Sequence, residues 1–318
     1  MVSTPVPPTL PILEAFSPAQ PVRPRTPFAA VAFKAYLELA PGHKGRERVL
    51  QHLAGALSHG GRPFVWRMKN GLKVAISSDD VWAGCGVGWT CLELGVWEPH
   101  VEAWIRRLLR PGDVAIDIGA NLGYFSAVMS QRVGAQGKVF AFEPVPRTLL
   151  QLHLTKLANR SENLTIYPVA IGEADSTVDI RFEPGVAGNA SAFQRFHAGS
   201  TEVARVALRS LDSLSAAGVL PDARLLKIDV EGNELNVLAG AAAYLRRAQP
   251  SLIFEYNAET ARSAGWTLAD VREVLADCGR YECSIINGNS TLLPVDLAAL
   301  KTSEDGYIDI LAVPHRAS

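Results

Sequence analysis

From residue 113 onward, short apolar runs alternate with stretches that keep helical spacing. The runs at 114–118, 139–142, 164–169, 225–228 and 252–254 have the length of strands, and their near-continuous apolarity belongs to strands covered on both faces. Between them, Leu122, Phe125, Met129 and Val133 fall on one helical face, Leu150, Leu154 and Leu157 on another, and Leu235, Leu238, Ala242 and Leu245 on a third. Each such face covers one side of a sheet, so the pattern predicts a three-layer α/β core around a mostly parallel sheet.

The alternation breaks once. Segments 177–182 and 203–208 read as strands flanking a Gly-, Ala- and Ser-rich loop, a hairpin inserted over 176–209 beside the expected site. Further on, Thr267 and Asp270 have the spacing of a capping box that starts another helix, followed by strand-like segments 281–286 and 307–313. Upstream, prolines recur through residues 1–27 and predict a disordered tail. Residues 28–109 read as a small N-terminal cap. It has a helix carrying Leu50, Leu53 and Leu57, a hairpin over 64–76 turned at Asn70-Gly71, and a helix with Val101, Trp104, Ile105, Leu108 and Leu109 on one face, stopped by Pro111-Gly112. The core then occupies 110–318.

Composition narrows the partners. A 318-residue chain that is 48% hydrophobic can bury a large core, and 31 basic against 32 acidic residues leave no field to hold a polyanion. Nucleic acid is therefore not expected. Cys85, Cys91, Cys278 and Cys283 form no CxxC pair, which suits a reducing cytoplasm. No run has the length to span a bilayer and no basic-then-apolar leader opens the chain, so no membrane partner is expected. Homo-oligomerisation stays open.

The chemistry begins where the first core strand ends, at Asp117-Ile118-Gly119-Ala120-Asn121-Leu122-Gly123-Tyr124-Phe125. Glycines there let backbone approach a ligand at the carboxyl edge of a sheet, but GxxxG spacing disfavours a dinucleotide loop and, with it, an NAD-dependent oxidoreductase. The next strand ends in Phe142-Glu143-Pro144, placing Glu143 where it can accept from both hydroxyls of a ribose. Asp117 could orient the loop or meet an ammonium group, and residues 168–172, Ala170 among them, would border an adenine. Read blandly, these are ordinary strand-end residues.

Four stretches resemble the FkbM family of methyltransferases: Gly95-Val96-Trp97-Glu98-Pro99, Gly112-Asp113 leading into 117–124, Phe142-Glu143-Pro144, and Leu226-Lys227-Ile228-Asp229-Val230-Glu231-Gly232. The resemblance extends from about Leu94 to Val313. It implies a Rossmann-like class I methyltransferase fold with a seven-stranded sheet and an antiparallel last strand. It also implies S-adenosyl-L-methionine as donor, and commonly O-methylation of a natural product or sugar. Asp117, Gly119, Asn121, Gly123, Tyr124 and Glu143 carry the cofactor role on this reading.

A hydroxyl acceptor on a small molecule needs a base or a cation, because its proton is held tightly near neutral pH. Asp229 follows the fourth strand, and Glu255 and Asn257 end the fifth; this oxygen-rich trio could hold Mg2+. The rival reading makes Asp229, or His197 on the inserted hairpin, a metal-free general base. A surface role for His197 is the bland alternative, and Glu231 reads as a helix-start residue. Lys227 shares the face of Asp229, either as a structural ion pair or as a catalytic lysine. Trp82, Trp89, Trp97 and Glu98 could wall the acceptor, with core packing the simpler role for Trp82 and Trp89. A carboxyl- or N-methyltransferase and a silent donor-binding module remain alternatives. A nucleic-acid methyltransferase is disfavoured by Asp-Val-Glu-Gly where an Asn-Pro-Pro-Tyr-like motif would stand.

Overall fold

The computed structural model describes residues 63–77, 86–182, 202–300 and 306–315, with isolated positions 32 and 35 and the backbone of Ala190–Ser191. The tail over 1–27, the helix with Leu50, Leu53 and Leu57, and residues Trp82, Cys85 and His197 lie outside the described residues. In chain order the strands are β1 (Phe64–Arg67), β2 (Lys73–Ile76), β3 (Val114–Ile118), β4 (Lys138–Phe142), β5 (Leu164–Tyr167), β6 (Ala170–Ile171), β7 (Ser176–Phe182), β8 (Ala190–Ser191), β9 (Glu202–Arg209), β10 (Leu225–Ile228), β11 (Ser251–Asn257), β12 (Tyr281–Ile286), β13 (Leu292–Pro294) and β14 (Tyr307–Pro314). The helices are α1 (Gly86–Leu94), α2 (Pro99–Leu108), α3 (Tyr124–Val133), α4 (Pro146–Asn159), α5 (Leu211–Ala216), α6 (Glu234–Ala239), α7 (Ala242–Ala248), α8 (Ala258–Ala264) and α9 (Leu268–Cys278).

The main sheet runs β13-β12-β14-β11-β10-β3-β4-β5. Strands β11, β10, β3, β4 and β5 are mutually parallel, and β14 inserts antiparallel between β11 and β12. The sheet thus has eight strands where the resemblance implied seven. The extra one, β13, pairs with β12 because Asn287-Gly288-Asn289-Ser290 turns the chain back, with Asn287 N–H donating to Thr291 O and Ser290 adopting φ +64. Three residues are too few to show a period.

Period-two alternation separates the two faces of the sheet. Ala115, Val139, Ala141, Leu225, Ile253 and Leu311 pack with the β1–β2 hairpin and α2–α4. Ile116, Ile118, Phe140, Phe142, Leu226, Ile228, Phe254 and Ile310 pack with α5–α9. The same alternation puts Asp117, Lys227, Asp229, Glu255 and Asp309 on the α2–α3 side, as polar positions at one end of an otherwise apolar face.

Two other elements depart from the pattern. The expected strand over 164–169 ends at Tyr167, since Pro168 has no N–H to continue the ladder; β6 begins a second sheet ordered β6-β9-β7-β8, in which β7 and β9 pair antiparallel from Ser176↔Leu208 to Phe182↔Glu202. The helical stripe from Leu235 to Leu245 is two helices. Asp212 N–H donates to Gly240 O, and the Asp212 carboxylate accepts from the N–H groups of Ala243 and Tyr244, so a side chain from α5 starts α7 afresh. Gly240 is also pressed against backbone, for a Cβ there would lie 2.1 Å from Gly172 O.

Candidate active site

The loop after β3 crosses the sheet edge in left-handed backbone, at Gly119 (φ +78), Asn121 (φ +50) and Gly123 (φ +89). Gly119 is needed for space as well as for its dihedral. A Cβ on it would lie 1.7 Å from Asp229 O, so the β3 loop and the β10 loop touch through backbone alone. Both N–H groups of Gly119 and Ala120 donate to Phe142 O, which ties the loop to the end of β4.

There Glu143 organises the turn. Its carboxylate accepts from Asn121 N–H at 2.9 Å, Val145 N–H at 2.9 Å and the Thr148 hydroxyl at 2.9 Å. Burial raises its pKa, and these three bonds oppose the shift. A cavity of about 610 Å³ opens against this turn, lined by Gly119, Asn121, Glu143, Val169 and Ala170 and also by Trp97, Glu98, Asp229, Glu231, Glu255 and Asn257. That size suits a small organic ligand.

Three residues expected at the cofactor do not line this cavity. Tyr124 is buried with its hydroxyl donating to Glu102 at 2.5 Å and accepting from Asn70 Nδ2, so it clamps the β1–β2 turn to α2. Hydrogen bonds from Tyr124, Arg106 and Asn70 overcome the effect of burial and keep the Glu102 carboxyl below its ordinary value. Gly123 serves helix packing: a Cβ on it would lie 2.5 Å from Leu152 Cδ1. Asp117 sits beneath the loop, fully buried, and accepts from the Ser126 hydroxyl at 2.5 Å. Its other oxygen has no hydrogen-bond donor among the described residues. Burial raises its pKa, against the pull of Lys227.

Lys227 pairs in register with Asp117 across β3 and β10. Its ammonium donates to Asp229 Oδ2 at 2.9 Å and lies 4.8 Å from the Phe125 ring centroid. Burial works against that charge, but Asp229, Asp117 and Glu98 outweigh it and hold the pKa above the ordinary lysine value. Lys227 stands behind Asp229 and outside the cavity wall.

Besides Glu143, the cavity lining carries the acidic residues Glu98, Asp229, Glu231 and Glu255. Glu98 precedes α2 with φ +36, strained backbone for a residue before proline. Burial, then Asp229 and Asp309, push its carboxyl up to about 8. Glu255 pairs in register with Asp309 on β14; burial, then Asp229, Glu231 and Asp309, push it up to about 10. Glu231, with φ +52, is raised well above the carboxylate range by burial and by Asp229. Asp309 binds His100 Nε2 at 2.7 Å, fastening α2 to the sheet.

Asn257 reaches the cavity wall, but its Oδ1 accepts from the N–H groups of Glu259 and Thr260 as the cap of α8. Among the described residues no three His, Cys, Asp or Glu side chains gather as metal ligands. Of the expected Mg2+ trio of Asp229, Glu255 and Asn257, Asn257 has its side-chain oxygen engaged in the helix cap. Trp97 lines the cavity, whereas Trp89 packs against the core and donates to Glu93.

Sequence reasoning missed several members of the site. Glu231 read as a helix-start residue and lines the cavity instead. Glu234 is buried and accepts from the N–H groups of Val230 and Gly232, fixing the loop that carries Asp229. Asp309 and Tyr307 had one visible signal each, a carboxylate at an inward position of an apolar strand and an aromatic at that strand's start.

Parallel strands in this order, an antiparallel strand slipped in beside the edge, and a glycine loop abutting a cavity at the carboxyl ends define the Rossmann-like architecture of class I methyltransferases. Residues 117–281 match the family described as "Methyltransferase FkbM domain", more than half of the chain, and the chain belongs to that family. It is 37% identical over 141 residues to hexuronic acid methyltransferase AglP of Haloferax volcanii, covering 43% of this chain and 54% of that protein. It is 25% identical over 146 residues to methyltransferase 1 of Beauveria bassiana, covering 39% and 57%. The chain thus spans about half the length of the curated relatives it matches. Among solved structures, methyltransferase FkbM from Methylobacillus flagellatus aligns with a TM-score of 0.41 at 16% identity, over 74% of this chain and 54% of that one.

Proposed function

We propose that the protein transfers a methyl group from S-adenosyl-L-methionine to a hydroxyl oxygen of a small molecule, a sugar or a natural product. One observation carries this reading: an acidic turn at Glu143 and a carboxylate at Asp229 line a single cavity, and the loops that carry them meet at the side-chain-free contact of Gly119. The Glu143 carboxylate keeps one acceptor position, on Oε2, beyond its three protein bonds, which suits one hydroxyl of a ribose. Val169 and Ala170 offer apolar wall for the adenine. When bound, the sulfonium supplies an electrophilic methyl carbon and leaves as a neutral thioether.

Asp229 is the general base of the proposed mechanism. As the acceptor oxygen bonds to the methyl carbon and the carbon–sulfur bond breaks, its proton passes to the Asp229 carboxylate. Lys227, bonded to Asp229 Oδ2, holds that carboxylate in place, so Oδ1 is the oxygen assigned to take the proton. Trp97 and Glu98 bound the acceptor's space. No step is routed through a metal ion. The relative named for hexuronic acid supports a sugar acceptor.

The test pairs calorimetry of the donor with turnover of Asp229→Asn. Donor affinity should hold within about threefold while turnover falls on the order of 10²-fold, the usual share of a general base. An undiminished rate overturns the assignment of Asp229, and a folded wild-type protein that binds neither donor nor its demethylated product overturns the function.

A further inference from the structure

Resting on the function proposed above, we infer that the inserted second sheet serves the donor: its apolar face walls the nucleobase, and Asn236 Oδ1 accepts from the exocyclic amino group of the adenine. Alternation along the strands sends Val178 and Ile180 of β7, and Ala204, Val206 and Leu208 of β9, to one face of that sheet. This face packs on Val145 and Ala170. Val178, Ile180 and Leu208 line the same cavity as Glu143. Glu143 itself spans two sides, with Oε2 on Asn121 of the glycine loop and Oε1 on Val145 and Thr148. A ribose held there carries the base on one side and the methionine chain on the other. The sulfonium has to stand by Asp229, whose backbone meets the glycine loop at Gly119, so the base takes the side of Val145 and Ala170, against the second sheet. A flat, largely apolar ring fits such a wall.

The polar edge comes from two amides at the start of α6. Asn233 Nδ2 donates to Ile171 O at 3.0 Å, and because a carbonyl oxygen only accepts, that bond settles which way the Asn233 amide is turned. Its Oδ1 then receives Asn236 Nδ2 at 2.8 Å. Asn236 is thereby fixed with Oδ1 as the atom it offers to a ligand, and both asparagines line the cavity. They adjoin the apolar wall, for a Cβ placed on Gly172 would meet Leu208 Cδ1 at 3.0 Å and Asn233 Nδ2 at 3.4 Å. An oxygen that only accepts matches the exocyclic amino group of adenine, which donates. It mismatches the exocyclic oxygen of hypoxanthine, which accepts. Without the bond to Asn233, the Asn236 amide could turn round and present its NH2 instead.

The experiment is calorimetry on the full chain with S-adenosyl-L-homocysteine and S-inosyl-L-homocysteine, which differ at the edge of the base. Wild type should bind the adenosyl ligand at least about tenfold more tightly, since a site built to pair a hydrogen-bond donor rejects an analogue that lacks it. In Asn236→Ala the adenosyl affinity should fall and the ratio shrink to within about threefold. Leu208→Ala should weaken both ligands by about tenfold and keep their ratio, because the apolar wall does not touch the base edge. Val178→Ala, on the same wall, should act in the same direction. Val206→Ala controls for a loosened sheet. Val206 packs in the same cluster but is not among the described residues of the cavity wall, so both affinities should hold within about twofold. Equal wild-type affinity for the two ligands, or an unchanged ratio in Asn236→Ala, overturns the role of Asn236. Wild-type affinity in Leu208→Ala and Val178→Ala, or an equal loss in Val206→Ala, overturns the wall. Each of these outcomes leaves the methyltransferase reading standing, because the adenosyl ligand still binds. Folded wild type that binds neither ligand overturns both.

Discussion

Replacing Gly119 by alanine isolates the contact on which the geometry of the cavity depends. The new Cβ would start 1.7 Å from Asp229 O and 2.8 Å from Asp229 C. Both are backbone atoms, which cannot rotate away as a side-chain tip can. To reach the 3.0 Å limit below which real Cβ contacts essentially never occur, the loops must part by more than about 1 Å, a shift that commonly costs on the order of 10² in rate. Parting them strains the hydrogen bond from Asp229 N–H to Ile118 O, whose loss costs about 1 kcal/mol. The left-handed backbone at φ +78 adds about 1–2 kcal/mol for a residue with a Cβ. The expected loss of stability is therefore about 2–3 kcal/mol, with donor affinity lowered at least about tenfold. Gly112 is the control. It has φ +90, and a Cβ there would meet nothing within 4 Å, so Gly112→Ala should show only the backbone cost of about 1–2 kcal/mol and bind the donor normally. Urea unfolding and donor calorimetry on both variants decide the matter. If Gly119→Ala unfolds at the same denaturant concentration as Gly112→Ala and keeps the wild-type donor affinity, the two loops are not held apart by backbone contact, and the reasoning fails.

Three further outcomes follow from the same geometry. Glu143→Ala removes the acceptor for Asn121 N–H, Val145 N–H and Thr148 Oγ1 and should weaken donor binding by about 10- to 100-fold, at 1.5–3 kcal/mol for bonds to a charged group; an unchanged dissociation constant in calorimetry would place the donor elsewhere. Tyr124→Phe, by contrast, should cost about 1–2 kcal/mol in urea unfolding through loss of the Glu102 bond while donor affinity stays within about twofold, and a selective loss of binding would return Tyr124 to the site. Glu234 gives a pH signature. Burial raises its carboxyl from 4.5 to about 7, so the folded state binds its proton more tightly than the unfolded chain. Its contribution is fully present below about pH 4.5 and is lost as pH rises through about 7, a change of about 3 kcal/mol at 1.4 kcal/mol per unit. Glu234→Gln should flatten that part of the urea-derived stability profile between about pH 5 and 8; parallel profiles for variant and wild type would remove Glu234 as a source.

The parts of this protein that were legible in the sequence are those in which one local rule decides the outcome. Five parallel strands were visible because burial on both faces demands continuous apolarity, and the capping box at Thr267 and Asp270 formed as its spacing required. The β1–β2 turn formed where Asn70-Gly71 allows left-handed backbone, at Gly71 with φ +86. What stayed hidden depends on neighbours distant in the chain. The break between α6 and α7 is made by Asp212 from another helix, and nothing within residues 234–248 announces it. Gly119 and Gly123 look alike in the motif, yet one meets a backbone carbonyl and the other a leucine side chain, a difference set by which element packs over each.

The acidic lining of the cavity shows the limit most clearly, and also its physical reason. Asp117, Lys227 and Glu255 could each be assigned to a sheet edge from alternation alone, because period two fixes the face on which a side chain lies. Their chemistry depends on lateral order, and lateral order is a property of the fold. Lys227 lies opposite Asp117 only because β10 pairs with β3, and Glu255 lies opposite Asp309 only because β14 enters antiparallel beside β11. Had β12 taken that place, Glu255 would have lost the Asp309 carboxylate that helps raise its pKa, and His100 would have lost the partner that fastens α2 over the site. The one inserted strand thus adds, after burial, Asp229 and Glu231, to the upward shift of Glu255, and it seats the helix that follows Trp97 and Glu98.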